Sequence, residues 1–141
     1  MSNVIVFLAD GFEEIEGLTV VDLLRRAGIK VTTVSIKEEK EVMGAHQIQV
    51  MADVKLSQAD FNGVDMLVLP GGMPGTLHLG ECKVVTEKCV EFKTPDPLWV
   101  ERAVIRSSLL PLYIEDTLSF GFSQNALVIA HRRHRPACQQ A

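Results

Sequence analysis

A doubly wound α/β fold, with a parallel sheet and helices on both faces, is the class this sequence predicts for its first 93 residues. Three observations carry the prediction. Val4-Ile5-Val6-Phe7-Leu8 is an uninterrupted apolar run of strand length, as suits a strand buried on both faces. A helical pattern and a second β-rich run, Val31 to Ile36, follow it at short spacing. A third apolar run, Val64 to Leu69, then stops abruptly at Pro70-Gly71-Gly72. Strand, helix and strand joined by short connections make the βαβ unit of a parallel sheet.

Taken in order, the elements are read as follows. Asp10-Gly11 turns the chain after the first strand. Glu13, Glu14 and Glu16 then lead a helix with apolar Ile15, Leu18, Val21 and Leu24 at spacings of three. Arg25 and Arg26 suit its last turn and Gly28 a left-handed cap. Lys37 to Lys40 is a charged turn, and Ile48 with Val50 suggests a short strand. Phe61-Asn62-Gly63 breaks the chain before the third buried strand. After the Pro70 to Gly75 loop, Glu81 to Phe92 reads as a helix carrying Val85, Cys89 and Phe92 on one face.

Beyond Thr94 the pattern changes. Residues 1–93 hold seven Lys, two Arg and nine of the ten Gly, with a formal charge of −5. Residues 94–141 hold five Arg, no Lys and one Gly, with a charge of +1. We therefore divide the chain into an N-terminal α/β part, 1–93, and a divergent segment, 94–141. Trp99 to Leu110 fits helix or strand, and Leu118 to Ala130 fits a hairpin turning at Ser123 to Asn125. His131 to Arg135 reads as a short basic tail.

Composition excludes several function classes. With 141 residues, 47% hydrophobic and 23% charged, the chain has ordinary globular values for one domain. A net charge of −4 offers no footprint for nucleic acid. No stretch approaches the roughly 18 apolar residues of a membrane span, and no signal peptide is recognisable. Three cysteines without a CxxC pair argue against a disulfide framework or a zinc site. A cytoplasmic location is the default expectation. In the tail, His131, His134 and Cys138 would sit near one another if helical, but three ligands without a fourth make a poor zinc site. No metal is expected.

Parallel α/β sheets place ligands at the carboxyl ends of their strands. Two segments lie there: the Gly11 to Glu16 turn and the Pro70 to Gly75 loop. Acids in a helix's first turn are favoured by its dipole alone, so the three glutamates need no further role on spacing. Gly71-Gly72 is the material of an anion nest or oxyanion hole, or of a mere turn. Neither a P-loop nor a GxGxxG fingerprint is present, so no nucleotide cofactor is expected.

Val4 to Ala9, Gly11-Phe12-Glu13-Glu14-Ile15-Glu16, Asp22 to Gly28 and Leu69-Pro70-Gly71-Gly72-Met73-Pro74-Gly75 together resemble the ThiJ/PfpI superfamily, and within it the DJ-one branch. The resemblance spans residue 1 to about residue 92 and implies a flavodoxin-like fold. It implies that Glu16 sets a carboxyl group against a reactive cysteine, helping to lower the thiol pKa. It implies that Gly72, with Gly71 beside it, donates backbone N–H toward a substrate oxygen. The activities implied are thiol-dependent: glyoxalase or deglycase chemistry on small reactive aldehydes and protection against oxidative stress, with a homodimer as the expected assembly.

The chain departs from that family at the nucleophile. The expected elbow, resembling Ala-x-Ile-Cys-Ala-Ala-Pro, is absent. Ala103-Val104-Ile105 resembles its lead-in strand, but Arg106-Ser107-Ser108 follows, with Arg106 near the place of the cysteine. Cys82, Cys89 and Cys138 do not lie on an elbow and read as idle thiols. A frame slip near Lys93, a return around Ala103 and a second slip at the cysteine codon would explain this loss and the change of composition. The sequence thus supports a family member without the family's chemistry. The alternative is a non-catalytic module binding a small anion at Gly71-Gly72. A sheet incomplete after its third main strand is expected to be marginally stable or to associate.

Overall fold

The computed structural model describes residues 2–93, together with the backbone of residues 103–104 and 128–131. The expected βαβ unit is present. β1 (Asn3–Leu8) leads through α1 (Glu14–Arg26) to β2 (Lys30–Ser35), and the two strands pair in parallel from Asn3↔Lys30 to Leu8↔Ser35. β3 (Glu41–Met43) and β4 (Gln49–Met51) form a separate antiparallel hairpin. β5 (Val54–Lys55) extends the main sheet beside β2, and β6 (Met66–Leu69) pairs in parallel with the other side of β1. α2 (Gly75–Glu81) and α3 (Lys83–Lys93) follow.

Period-two alternation along β1 divides the core into two layers. Val4, Val6 and Leu8 face the layer of Phe12, Val21, Val42 and Val68, with Leu18 and Leu24 of α1 packed on it. Ile5, Phe7 and Ala9 face the opposite layer, with Leu67, Leu79 and Val85 and the partly buried Cys82, Cys89 and Phe92. Helices therefore cover both faces, which is why β1 reads as a continuous apolar run. Asp53 ties β2 to the end of α1. Its carboxylate accepts from the Thr33 amide at 2.8 Å, from Thr33 Oγ1 at 2.9 Å and from Arg25 at 2.6 Å.

Four local expectations are corrected. Ile15 does not join the core face of α1 and is 74% exposed. A strict spacing of three drifts about 60° per step around a helix of 3.6 residues per turn, so Ile15 and Leu24 point in opposite directions. Gly17 occupies the inward position instead, where a Cβ would lie 3.1 Å from the Phe12 ring and from Pro70 Cγ. Ile48 is not in a strand. It belongs to the hairpin turn, closed where the Gly44 amide donates to Ile48 O at 2.9 Å.

The helix expected over Glu81 to Phe92 is α3, which starts two residues later at Lys83, and a separate helix, α2, precedes it. α2 begins directly out of the glycine loop at Gly75 and ends at Cys82, whose ψ of 102° breaks the helical path before α3. Finally, the strand beside β6 is antiparallel. β8 (Val128–His131) pairs with β6 from Met66↔His131 to Leu69↔Val128, and β7 (Ala103–Val104) pairs with β8. Antiparallel addition needs no crossover helix, so a short segment covers the edge of β6 without completing the parallel series. His131 is thus the last residue of a strand, not the start of the basic tail. Arg106, His134, Cys138 and the turn at Ser123 to Asn125 lie outside the described residues.

Candidate functional site

The site is built where the loops after β1 and β6 cross at the carboxyl ends of the strands. Backbone meets backbone there with no space for side chains. Gly11 and Gly72 have φ of +87° and +99°. A Cβ on Gly72 would lie 2.6 Å from Gly11 O, and one on Gly75 would lie 2.6 Å from the Phe12 amide nitrogen. Only glycine adopts such torsions and permits such approach without strain. The crossing is closed by the Glu13 amide donating to Gly71 O at 2.7 Å and the Gly75 amide donating to Gly11 O at 3.2 Å.

Glu16 reaches this crossing from the first turn of α1. Its Oε2 accepts the Gly71 amide at 2.7 Å, across 55 residues of sequence. Gly71 is therefore held on both sides by the start of α1: its carbonyl oxygen by the Glu13 amide, its N–H by the Glu16 carboxylate. Glu16, Gly71 and Gly72, named from sequence, converge in one place. Glu16 does more than favour a helix dipole.

A second carboxylate was not foreseen. Glu14 is only 4% exposed and turns into the β3–β4 hairpin. Its Oε1 accepts the His46 amide at 2.8 Å, and its Oε2 lies 2.9 Å from His46 Nδ1. Burial works against its charge, yet hydrogen bonds from the His46 ring and from backbone amides outweigh that, and hold the carboxyl below its ordinary range. The hydrogen bond to Glu14 and the nearby Glu13 charge raise His46 above its ordinary value. Glu13 Oε1 lies 3.6 Å from the same Nδ1. No spacing rule could flag His46, because 32 residues separate it from Glu14 and the hairpin had not been read from sequence.

On the other side of the crossing a cavity of about 270 Å³ is lined by Asp10, Ile36, Lys37 and His78. Lys37 pairs with Asp10 at 2.9 Å, and His78 Nδ1 donates to the Asp10 carbonyl at 2.8 Å. Burial opposes the Asp10 charge, but the Met43 amide and Lys37 prevail and lower its pKa.

The described thiols lie elsewhere. Cys82 and Cys89 pack into the layer of Ile5, Phe7 and Ala9, on the face of the sheet opposite α1. Burial pushes the Cys89 thiol up to about 11, which suppresses the thiolate at neutral pH. Neither cysteine belongs to the carboxylate and glycine cluster.

Comparison with known proteins agrees with this architecture. The profile of the DJ-1/PfpI family matches residues 2–99. Protein dj-1beta of Drosophila melanogaster is 39% identical over 83 residues, covering 59% of this chain and 44% of the relative. The Parkinson disease protein 7 homolog of Danio rerio is 37% identical over 84 residues, with the same coverage of 59% and 44%. The chain thus spans less than half the length of either relative. The solved structure of oxidized DJ-1 from Toxoplasma gondii superposes with a TM-score of 0.63 at 31% identity, covering 66% of this chain and 50% of that one. With its flavodoxin-like sheet, its glycine crossing and the family profile matched over residues 2–99, this chain belongs to the DJ-1/PfpI family.

Proposed function

We propose that this chain keeps the carboxylate and glycine half of a DJ-1/PfpI pocket and carries out no thiol chemistry, because neither described cysteine, Cys82 or Cys89, is delivered to it. The family's implied role, cysteine-dependent glyoxalase or deglycase chemistry on reactive aldehydes, needs a thiolate to attack the carbonyl carbon. Glu16 and the Gly71-Gly72 turn would then serve as the carboxyl and backbone partners of that thiolate. The observation carrying the proposal is the placement of the thiols. Cys82 and Cys89 lie in the layer opposite α1, while Glu16 is engaged with Gly71. The sequence has no Ile-Cys-Ala elbow after α3, where Arg106 stands instead.

The test is conversion of methylglyoxal to lactate by the full chain. No rate above buffer is expected. Turnover that disappears in a Cys82→Ser, Cys89→Ser or Cys138→Ser variant would overturn the proposal.

The competing reading, an anion held by the Gly71-Gly72 amides, is disfavoured because the Gly71 N–H already donates to a carboxylate. We also propose that the divergent sequence of residues 94–141 arises from shifts of reading frame. An Ile-Cys-Ala elbow encoded in an alternative frame of the coding DNA would support that origin, and its absence would refute it. Association into homodimers is part of the same proposal. It is supported by the exposed Ile15, Leu23, Ile48 and Met51 on α1 and about the hairpin. Among the described residues, no helix is long and apolar enough to cross a membrane.

A further inference from the structure

Glu13 and Glu14 are consecutive residues at the start of α1, and His46 faces them from the hairpin turn. One donor atom from each lies within 4.8 Å of the others. His46 Nδ1 is 2.9 Å from Glu14 Oε2 and 3.6 Å from Glu13 Oε1. Zinc binds imidazole nitrogen and carboxylate oxygen at about 2.0–2.2 Å, so neighbouring corners of its tetrahedron lie about 3.3 Å apart. The two separations from His46 Nδ1 bracket that edge, and the carboxylate oxygens of Glu13 and Glu14, within 4.8 Å of each other, would close to it on binding.

From this geometry we infer that Glu13, Glu14 and His46 form a binding site for a first-row divalent transition ion, three corners of a tetrahedron with the fourth left to water. The site is independent of the proposed loss of thiol chemistry.

The groups behind the donors support the inference. The second oxygen of Glu14 is fixed by the His46 amide at 2.8 Å, so the ligating oxygen is oriented from behind. The hairpin that carries His46 is fastened to the lead-in of α1. The Gly11 amide donates to Met43 O at 2.7 Å, and the Ala45 amide donates to Phe12 O at 2.8 Å. Gly44 has the space the buried carboxylate needs, since any Cβ there would overlap the Glu14 carboxyl group. Two carboxylates and one imidazole leave the cluster negative even when the ring is protonated. One borderline nitrogen with two hard oxygens suits zinc or manganese better than a thiophilic ion. On binding, Nδ1 exchanges the proton it shares with Glu14 for a bond to the ion, two carboxylate–metal bonds form, and the proton leaves to solvent. A plain histidine–glutamate contact is the competing account, and it gives no response to metal.

Calorimetric titration of the full chain with Zn²⁺ decides between them. The wild type should bind with saturation. Glu13→Gln and His46→Gln should each weaken binding roughly tenfold or more. A His131→Gln/His134→Gln double variant should stay within twofold of wild type. Glu13→Gln leaves the Glu14–His46 contact in place, so it remains decisive if His46→Gln loosens the hairpin. Circular dichroism establishes that each variant is folded. No saturable binding below about 1 mM, unchanged affinity in Glu13→Gln, or a loss confined to the tail variant would overturn the inference.

Discussion

Replacing Gly72 by alanine should destabilise the fold far more than the same change at Gly28 or Gly63. All three glycines have left-handed backbone, with φ of +99°, +74° and +65°. At Gly28 and Gly63 an added Cβ meets nothing within 4 Å, so only the backbone term applies, about 1–2 kcal/mol. At Gly72 the methyl would also lie 2.6 Å from Gly11 O and 2.7 Å from the Phe12 carbonyl carbon. Backbone on both sides of the crossing cannot swing away as a flexible side chain would. Overpacking of this kind adds about 1–3 kcal/mol. The expected total is about 2–5 kcal/mol. With a urea dependence of about 2 kcal/mol per molar, Gly72→Ala should lower the unfolding midpoint by about 1–2.5 M and the two controls by about 0.5–1 M. Equilibrium urea unfolding followed by far-ultraviolet circular dichroism measures all three. Gly72→Ala with no folded baseline beside a folded Gly63→Ala also fits the reasoning. A Gly72→Ala midpoint equal to that of Gly63→Ala would show that the loops do not cross as described.

Cys89 should be a poor nucleophile. A thiol pushed to about 11 has a thiolate fraction at pH 7.5 roughly 300-fold below that of an ordinary cysteine. The greater nucleophilicity of the more basic thiolate recovers about tenfold of this. Iodoacetamide should therefore label Cys89 about 20–30-fold more slowly than a free-thiol peptide, and peptide mapping that finds fast labelling would contradict its placement. Glu16→Ala should cost about 1–3 kcal/mol by leaving the buried Gly71 amide without its acceptor, whereas Glu16→Gln retains an acceptor and should cost under about 1 kcal/mol. Equal loss in both, measured by urea unfolding, would mean that charge and not the hydrogen bond matters. Asp10 has its pKa lowered in the fold. Its contribution should be complete above about pH 4 and fade as pH falls through the lower folded value. The stability gap between wild type and Asp10→Asn should close in acid, and a gap constant from pH 6 to pH 2 would rule this out.

The division of labour between sequence and tertiary structure is clearest at particular residues. β1 and β6 were legible because burial on both faces leaves an unbroken apolar run, β2 by its β-branched valines and threonines, and α1 because its charged ends mark their own boundaries. The Gly11 to Glu16 turn and the Gly71-Gly72 loop were legible as candidates because the turns after parallel strands are where such a sheet places its ligands, and the family resemblance alone singled out Glu16 among the three glutamates. That Val85, Cys89 and Phe92 share a buried face followed from helical spacing. The frame of the fold is thus a local property of the chain.

What remained hidden depends on contacts between segments far apart in sequence. Glu16 meets Gly71 across 55 residues and Glu14 meets His46 across 32, distances over which periodicity says nothing. The side of the sheet on which Cys89 lies could not be read from α3 alone. Only the packed sheet decides that it faces Ile5 and Phe7, with α1 and its carboxylates on the other side. Sequence determined β1, α1, β2, β6 and α3 and some of the residues that could do chemistry. Tertiary structure decided which of them meet, because burial, desolvation and hydrogen bonding act between neighbours in space, whatever their distance along the chain.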